Sequence, residues 1–293
     1  MNVLSVLDLR DSLNDVLRLA ADLKRSPTPQ ALSGKTLGMI FEKPSTRTRI
    51  SFEVAMTQLG GHAIYLSPQN MQLGRGETIA DTARVLSRFV DAIVYRAFSH
   101  ETMLELARHA TVPVINALDD REHPCQIVAD LLTIQEQRGF DGTLAYIGDG
   151  NNVCNSLLLG AALAGIEMVV ACPPGYEPDP EIYDQAKKIG NVEIVTDPHQ
   201  AARGADVLYT DVWVSMGDEE QEAERTNAFR SYRIDSSLVG VASPDVIVMH
   251  PLPAHRGKEI TDEVIDGPHS VVWDQAENRL HVQKAILTKL MSG

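Results

Sequence analysis

Short apolar runs alternate with amphipathic segments along most of the chain. Runs of this length, rich in Val and Ile, are typical of buried strands in a parallel sheet. Strands are therefore predicted at 36–41, 62–66, 92–96 and 112–117, and again at 144–148, 168–171, 192–195, 207–210, 246–249 and 271–273.

The segments between these runs repeat apolar residues at helical spacing. They predict helices at 8–25, 50–59, 78–90, 100–110, 124–138, 155–165, 181–189 and 276–291. The whole pattern predicts an α/β fold of two doubly wound parallel-sheet domains with a cleft between them, linked by long helices. The domains are expected at 1–138 and 139–275, with the helix at 276–293 packing back onto the first.

Composition narrows the class of protein. The chain has 293 residues, a net charge of −14 and three cysteines, Cys125, Cys154 and Cys172. The negative charge argues against nucleic acid and anionic membranes as partners. We find no apolar run of transmembrane length and no signal-peptide pattern, which indicates a cytoplasmic protein. The cysteines are too few for a disulfide framework or a zinc cluster, and we expect reduced, buried thiols.

Residues with hydroxyl and guanidinium groups lie between the first predicted strand and the helix that follows it. Ser45, Thr46, Arg47 and Thr48 occupy this turn. Free backbone N–H groups and the helix dipole favour an anion at such a place, so the turn predicts a phosphate site. The alternative is an ordinary Ser/Thr helix cap.

Further candidates stand at predicted strand ends, where doubly wound sheets bind ligands. Arg96 ends a strand, while His123 and Gln126 open the long helix at 124 and are positioned to face a ligand there. Each has a plain structural alternative, a surface arginine in the first case and a helix cap in the second.

In the second half, Asn152 lies in a Gly-rich strand-to-helix turn suited to a carboxylate or phosphate. Val153 stands where a dinucleotide fingerprint needs its third glycine, which weakens a nicotinamide cofactor as ligand. Asp211 ends a later strand and can bind an amine. The acidic segment 214–226 that follows is expected to be a polar loop, either a lid or a solvated charge run. The prolines of 250–257 leave backbone carbonyls available to accept from an ammonium group.

Taken together, these motifs resemble the aspartate/ornithine carbamoyltransferase family, and the resemblance runs from the first helix to 276–279. It rests on Ser-Thr-Arg-Thr-Arg at 45–49, His-Pro-Cys-Gln at 123–126, Asp-Val-Trp-Val-Ser-Met-Gly at 211–217 and His-Pro-Leu-Pro-Ala-His-Arg-Gly at 250–257. The ornithine-using branch matches best, because the loop after Asp211 is absent from the aspartate enzymes. Membership implies transfer of a carbamoyl group from carbamoyl phosphate to the δ-amine of ornithine, without metal or cofactor.

The resemblance also implies roles for residues. The carbamoyl phosphate ligands are Ser45, Thr46, Arg47, Thr48, Gln72, Arg96, His123, Gln126 and Arg279, of which Thr48, Arg96, His123 and Gln126 are catalytic. Gln72 reaches the site of a neighbouring subunit, since the family is built on a homotrimer. The ornithine ligands are Asn152, Asp211, Ser215, Met216, Pro251 and Leu252.

One position departs from the ornithine pattern. The family usually has Cys where this chain has Pro251, as aspartate carbamoyltransferases do. Either ornithine is still the acceptor, or another amine, such as aspartate or a modified ornithine, has replaced it. A non-catalytic ligand-binding relative is the alternative from another class.

Overall fold

The computed structural model describes residues 1–26, 30–67, 71, 76–214 and 222–292. The chain divides into two compact units. The first consists of residues 1–132 and 277–293, and the second of residues 133–276.

The first unit contains a four-stranded parallel sheet in the order β2-β1-β3-β4. Its strands are β1 (Thr36–Phe41), β2 (His62–Leu66), β3 (Ala92–Arg96) and β4 (Val114–Leu118). Ile40, Ile93 and Val114 pack in its core against buried side chains of the flanking helices. The carboxyl ends of β1 and β3 are adjacent, because Phe41 and Arg96 are neighbours across the ladder.

Helices of the first unit lie close to the predicted positions. A 3-10 helix (Val6–Leu9) precedes α1 (Leu13–Arg25), α2 (Thr46–Gln58), α3 (Ile79–Leu86), α4 (His100–His109) and α5 (Pro124–Gln137). The helix predicted from residue 8 is thus two elements. The helix predicted from residue 50 begins earlier, at Thr46, because Ser45 caps it and accepts a hydrogen bond from the Thr48 N–H.

The second unit contains a five-stranded parallel sheet in the order β7-β6-β5-β8-β9. Its strands are β5 (Thr143–Ile147), β6 (Glu167–Ala171), β7 (Val192–Val195), β8 (Val207–Tyr209) and β9 (Ile247–Met249). The strand predicted at 271–273 is wrong. Only Ser270 bridges to β9, and the chain then enters α12 (Val272–Met291), whose apolar side chains are buried at helical rather than alternating spacing.

The remaining helices are α6 (Asn152–Ala164), α7 (Pro180–Ile189), α8 (Pro198–Ala202), α9 (Glu222–Phe229), α10 (Ser236–Val241) and α11 (Asp262–Ile265). The expectation of a loop over 214–226 is wrong for Glu222 onward, which is the first turn of α9. Phe229 is fully buried at the end of α9, stacked on Trp213, so packing fixes a helix that charge alone did not indicate. Within the described ranges, every helix is too short or too polar to cross a membrane.

Candidate functional site

The turn after β1 presents the N-terminus of α2. Ser45 caps the helix, Thr46 is exposed, and Thr48 is buried with 1% of its surface accessible. The first N–H groups of a helix have no partner within the helix, so they favour an anion.

Arg279 reaches this turn from α12. Its Nη2 donates a 2.6 Å hydrogen bond to the Thr48 Oγ1, although 231 residues separate the two in sequence. Arg279 is only 4% exposed. A guanidinium from the end of the chain thus lies at the start of α2.

Arg96 adds a second buried guanidinium. It ends β3 beside Phe41 and is 6% exposed, and its Nε has no hydrogen-bond partner among the described residues. Burial, together with the charges of Arg279 and Arg47, lowers the pKa of Arg96 to about 10. Desolvation also lowers the pKa of Arg47, which stands more exposed on α2. Like charges near one another favour an anion beside them.

His123 lies within the field of the same arginines. It is 5% exposed and directly precedes α5. Burial and the charges of Arg279 and Arg96 hold the pKa of His123 well below its usual value of 6.5. The imidazole is therefore neutral at physiological pH and carries a single N–H.

Gln126 lies one turn into α5 and is 1% exposed. Its Nε2 donates to the Asp130 Oδ1 at 2.8 Å. This bond fixes the amide so that Oε1 is its acceptor atom. The first unit therefore brings together Arg47, Thr48, Arg96, His123 and Arg279. Ser45 and Thr46 belong to the same turn as Thr48, and Gln126 follows His123 by one helical turn.

In the second unit, Asp211 and the start of α6 are joined by Asn151. The Asn151 Oδ1 caps α6, and its Nδ2 donates to the Asp211 Oδ2 at 2.9 Å. Burial raises the pKa of Asp211, while His250 and this Asn151 bond act to lower it. Asn152 is the first residue of α6 and half-buried. The sequence singled out Asn152 and missed Asn151, whose signal was a capping Asn before the apolar helix.

The segment after β9 has its own buried support. His250 is fully buried, its Nε2 lies 3.1 Å from the Glu259 Oε1, and its Nδ1 accepts from the Leu252 N–H at 2.9 Å. This pattern assigns the proton of His250 to Nε2. Pro251 is buried, and Leu252 has a positive φ of 57° before a cis bond to Pro253.

A second ion pair of this unit was also missed. The Arg225 Nη1 lies 2.9 Å from the Asp149 Oδ2 and donates to the Trp213 carbonyl. Arg225 belongs to the segment that was predicted as a loop, so the sequence did not predict its position in α9 or its ion pair. The predicted ligands Gln72, Ser215 and Met216 lie outside the described residues.

All three cysteines are free and buried, and burial raises the pKa of Cys125 to about 12. Among the described residues, no group of three or more His, Cys, Asp or Glu is arranged to hold a metal ion.

Comparisons with known proteins identify both halves of the chain. Residues 1–136 match the family model for the aspartate/ornithine carbamoyltransferase carbamoyl-P binding domain, and residues 141–290 match that for the Asp/Orn binding domain. The chain is 59% identical to an ornithine carbamoyltransferase of Methanoculleus marisnigri, over 99% of this chain and 96% of that one. It is 55% identical to a catabolic ornithine carbamoyltransferase of Thermoplasma volcanium, over 99% and 98% of the two chains.

Among solved structures, the ornithine carbamoyltransferase of Pyrococcus furiosus superimposes with a TM-score of 0.95 at 51% identity, over 100% of this chain and 97% of that one. Family models that together span nearly the whole chain, relatives of this identity and a shared fold lead to one conclusion: the chain belongs to the aspartate/ornithine carbamoyltransferase family.

Proposed function

We propose that the protein transfers the carbamoyl group of carbamoyl phosphate to the δ-amine of L-ornithine, giving L-citrulline and phosphate. The observation that carries this proposal is the buried Arg279–Thr48 bond, which fixes a guanidinium at the N-terminus of α2 near Arg96. Such an arrangement suits a doubly charged phosphate, and similar proteins at 51–59% identity are named ornithine carbamoyltransferase.

The first unit would bind carbamoyl phosphate. Its phosphate accepts from the N-terminal N–H groups of α2 and from the side chains Ser45, Thr46, Arg47, Thr48, Arg96 and Arg279. Burial and, after it, repulsion from Arg279 and Arg47 lower the pKa of Arg96, and an anion here would relieve that repulsion. The residues that bind the phosphate would therefore also neutralise its charge when it leaves.

The carbonyl oxygen would lie against Thr48, Arg96 and His123. Because His123 is neutral, it donates a hydrogen bond to the growing oxyanion without adding a third positive charge beside Arg96 and Arg279. The Gln126 Oε1 accepts from the carbamoyl NH₂ group, since its Nε2 is engaged by Asp130. The neutral δ-amine attacks the carbonyl carbon and the C–O bond to phosphate breaks. The proton that the amine loses passes to the leaving phosphate, which departs as the dianion HPO₄²⁻.

The second unit would bind ornithine. Asp211 faces the α-ammonium. Burial raises the pKa of Asp211, and the charge of the bound ammonium would counter that effect by favouring the ionised carboxylate. Asn152 holds the α-carboxylate, and Ser215 and Met216 complete the amino-acid end. Beyond Pro251, the Leu252 carbonyl accepts from the δ-amine, in a backbone conformation supported by His250.

We propose a cytoplasmic homotrimer in which Gln72 serves a neighbouring subunit. Free, buried cysteines are typical of a reducing compartment. Exposed apolar side chains on the first unit, Ile50, Phe89 and Phe98, support an interface there. The reaction serves arginine biosynthesis or arginine catabolism.

The test compares acceptors. Purified protein is given carbamoyl phosphate with ornithine, aspartate, putrescine, lysine or N-acetylornithine, and phosphate release and the ureido product are both measured. We expect ornithine to give the highest kcat/KM. Asp211→Asn should raise KM for ornithine and leave KM for carbamoyl phosphate unchanged, because Asp211 belongs to the second unit.

Preference for another acceptor would overturn the ornithine assignment while leaving carbamoyl transfer intact. Saturable carbamoyl phosphate binding without turnover of any acceptor would instead support a non-catalytic relative. Binding of NAD without binding of carbamoyl phosphate would reject the family's chemistry for this chain.

A further inference from the structure

A buried carboxylate organises the turn that leads into α5. Asp119 is fully buried, and its Oδ1 accepts from the backbone N–H groups of Arg121 and Glu122 at 2.9 and 2.7 Å. The Asp119 N–H donates in return to the Glu122 carbonyl. Hydrogen bonds in both directions between Asp119 and Glu122 thus hold the turn 119–122, which lies immediately before His123.

The other carboxylate oxygen of Asp119 receives a side chain from a different loop. The His100 Nδ1 lies 2.7 Å from Asp119 Oδ2, and the His100 backbone N–H donates to the Asp120 Oδ1 at 2.7 Å. His100 is the first residue of α4 and follows Arg96 by one short loop. The pair therefore joins the loop after β3, which begins at Arg96, to the turn that ends at His123.

The two loops follow paired strands, and the Ala97 N–H donates to the Leu118 carbonyl at 3.0 Å where they begin. The pairing of β3 with β4 is regular up to Tyr95 and then shifts, so that Arg96 lies opposite Leu118. Such irregularities interrupt the ladder and loosen its control of the strand ends. The His100–Asp119 contact lies just beyond this shift and adds a side-chain link between the two loops.

The turn is also anchored on its far side. The Asn116 Nδ2 donates to Asp119 Oδ2 and to the Leu4 carbonyl, both at 2.9 Å. The Glu122 Oε2 accepts from the Val6 N–H at 3.1 Å. With one side held by the N-terminal segment, His100 supplies the link towards Arg96.

We propose that His100 and Asp119 are positioning residues for carbamoyl transfer, forming a clamp that holds His123 and Arg96 at the spacing required around the carbonyl oxygen. This rests on the proposed function, in which both residues stabilise the same developing charge. The clamp touches neither substrate. It acts by keeping two donors aimed at one atom, and small displacements of such donors are costly to catalysis.

The electrostatics of the pair agree with this geometry. The hydrogen bond that His100 donates to the Asp119 carboxylate is the largest cause of the raised pKa of His100. Burial opposes this rise, as does the charge of Arg121, while the charges of Asp119 and Glu122 add to it. A charge-assisted hydrogen bond of this kind is shorter and stiffer than a neutral one. The His100 side chain is 20% exposed, so it can be replaced without opening the core.

The test uses three variants of the full-length protein. His100→Ala removes the donor, His100→Asn keeps a donor near the position of Nδ1, and His109→Ala is the matched control at the other end of α4. We expect His100→Ala to lower kcat for citrulline formation about tenfold, with KM for ornithine unchanged. His100→Asn should recover most of the activity, and His109→Ala should behave as wild type.

Thermal unfolding of each variant is measured alongside, since a merely structural role would lower stability without the selective fall in kcat. His100→Ala with wild-type kcat would overturn the clamp, as would a fall in kcat that His100→Asn does not restore. An inactive wild-type protein would instead count against the proposed function. The two failures are therefore distinguishable.

Discussion

Thr48 carries a hydroxyl that orients a buried guanidinium and, in the proposed function, also contacts the ligand. Its Oγ1 accepts from Arg279 at 2.6 Å, which leaves the hydroxyl hydrogen to point elsewhere as a donor. The residue is buried in the first turn of a helix whose N–H groups favour an anion. One side chain thus orients a guanidinium and contributes a donor of its own.

Replacing this hydroxyl by a methyl group tests that double role. Thr48→Val should weaken carbamoyl phosphate binding by about 1.5–3 kcal/mol, raising KM for carbamoyl phosphate about ten- to hundredfold. Thr48→Ser should stay near wild type. Thr57→Val is the control, since Thr57 lies on the same helix and donates only to the Glu53 carbonyl. Equal KM values for Thr48→Val and Thr57→Val would contradict the assignment.

Sequence reasoning at this scale found residues with a recognisable chemistry and missed those that support them. Arg96, His123 and Thr48 stood at strand ends or helix starts, where topology alone gathers ligands. Glu259 and Asp119 were not predicted, because a carboxylate beside a distant histidine becomes visible only when the chain is folded. Their partners, His250 and His100, lie on other turns of the same unit.

At the scale of elements, the turn between β5 and α6 is the most tightly constrained of the second unit. Gly150 donates its N–H to the Tyr176 carbonyl at 2.9 Å. A Cβ on Gly150 would overlap the backbone of Glu177 and Pro178. The turn that presents Asn151 and Asn152 can therefore approach the 176–178 loop only with glycine at this position.

Gly150→Ala should accordingly destabilise the protein by about 1–3 kcal/mol, since backbone rather than a flexible side chain must move. It should also raise KM for ornithine more than KM for carbamoyl phosphate, because the displaced turn carries Asn152. Gly240→Ala provides the control, as its Cβ would meet no atom within 4 Å. Chemical denaturation and the two KM values measure these effects. A Gly150→Ala protein as stable as Gly240→Ala would refute the argument.

Most strands and long helices could be predicted from periodicity, whereas their boundaries depended on local chemistry. The start of α2 is set by the Ser45 cap, so counting apolar residues placed it too late. The short helices α8, α10 and α11 span too few turns to show a period. A strand was predicted at Val271 to Trp273, because three apolar residues are too few to distinguish a strand from the first turn of α12.

At the scale of the whole molecule, the buried His123 makes stability depend on pH. The pKa of His123 lies well below 6.5 in the folded protein. As pH falls below 6.5, the unfolded chain takes up a proton at this residue and the folded chain does not. The free energy of unfolding therefore decreases on acidification, which is the sign expected for a base whose pKa is depressed by folding.

His123→Asn removes this proton linkage. The difference in unfolding free energy between wild type and variant should narrow as pH is lowered from about 8 to about 5. Denaturant titrations at a series of pH values measure it, with exposed His199→Asn as the matched control. A difference that stays constant over this range would show that His123 titrates normally.

The family and two-sheet architecture could also be predicted at this scale, since alternation and motif order extend over the whole chain. The division of the chain could be predicted only in outline. Helices α5 and α12 each contribute residues to both units. The amphipathic pattern of such a helix is continuous, so the sequence does not indicate that one unit ends at residue 132 or 276.

The discontinuous first unit has a consequence for the order in which the protein is made. A nascent chain that has left the ribosome through residue 276 already contains β1 to β9, Thr48, Arg96 and His123. It still lacks Arg279, the partner 231 residues away that engages Thr48. The cluster of guanidinium groups around Thr48 is therefore incomplete until α12 has left the ribosome, so the proposed carbamoyl phosphate site gains this cationic ligand only after both sheets have been made.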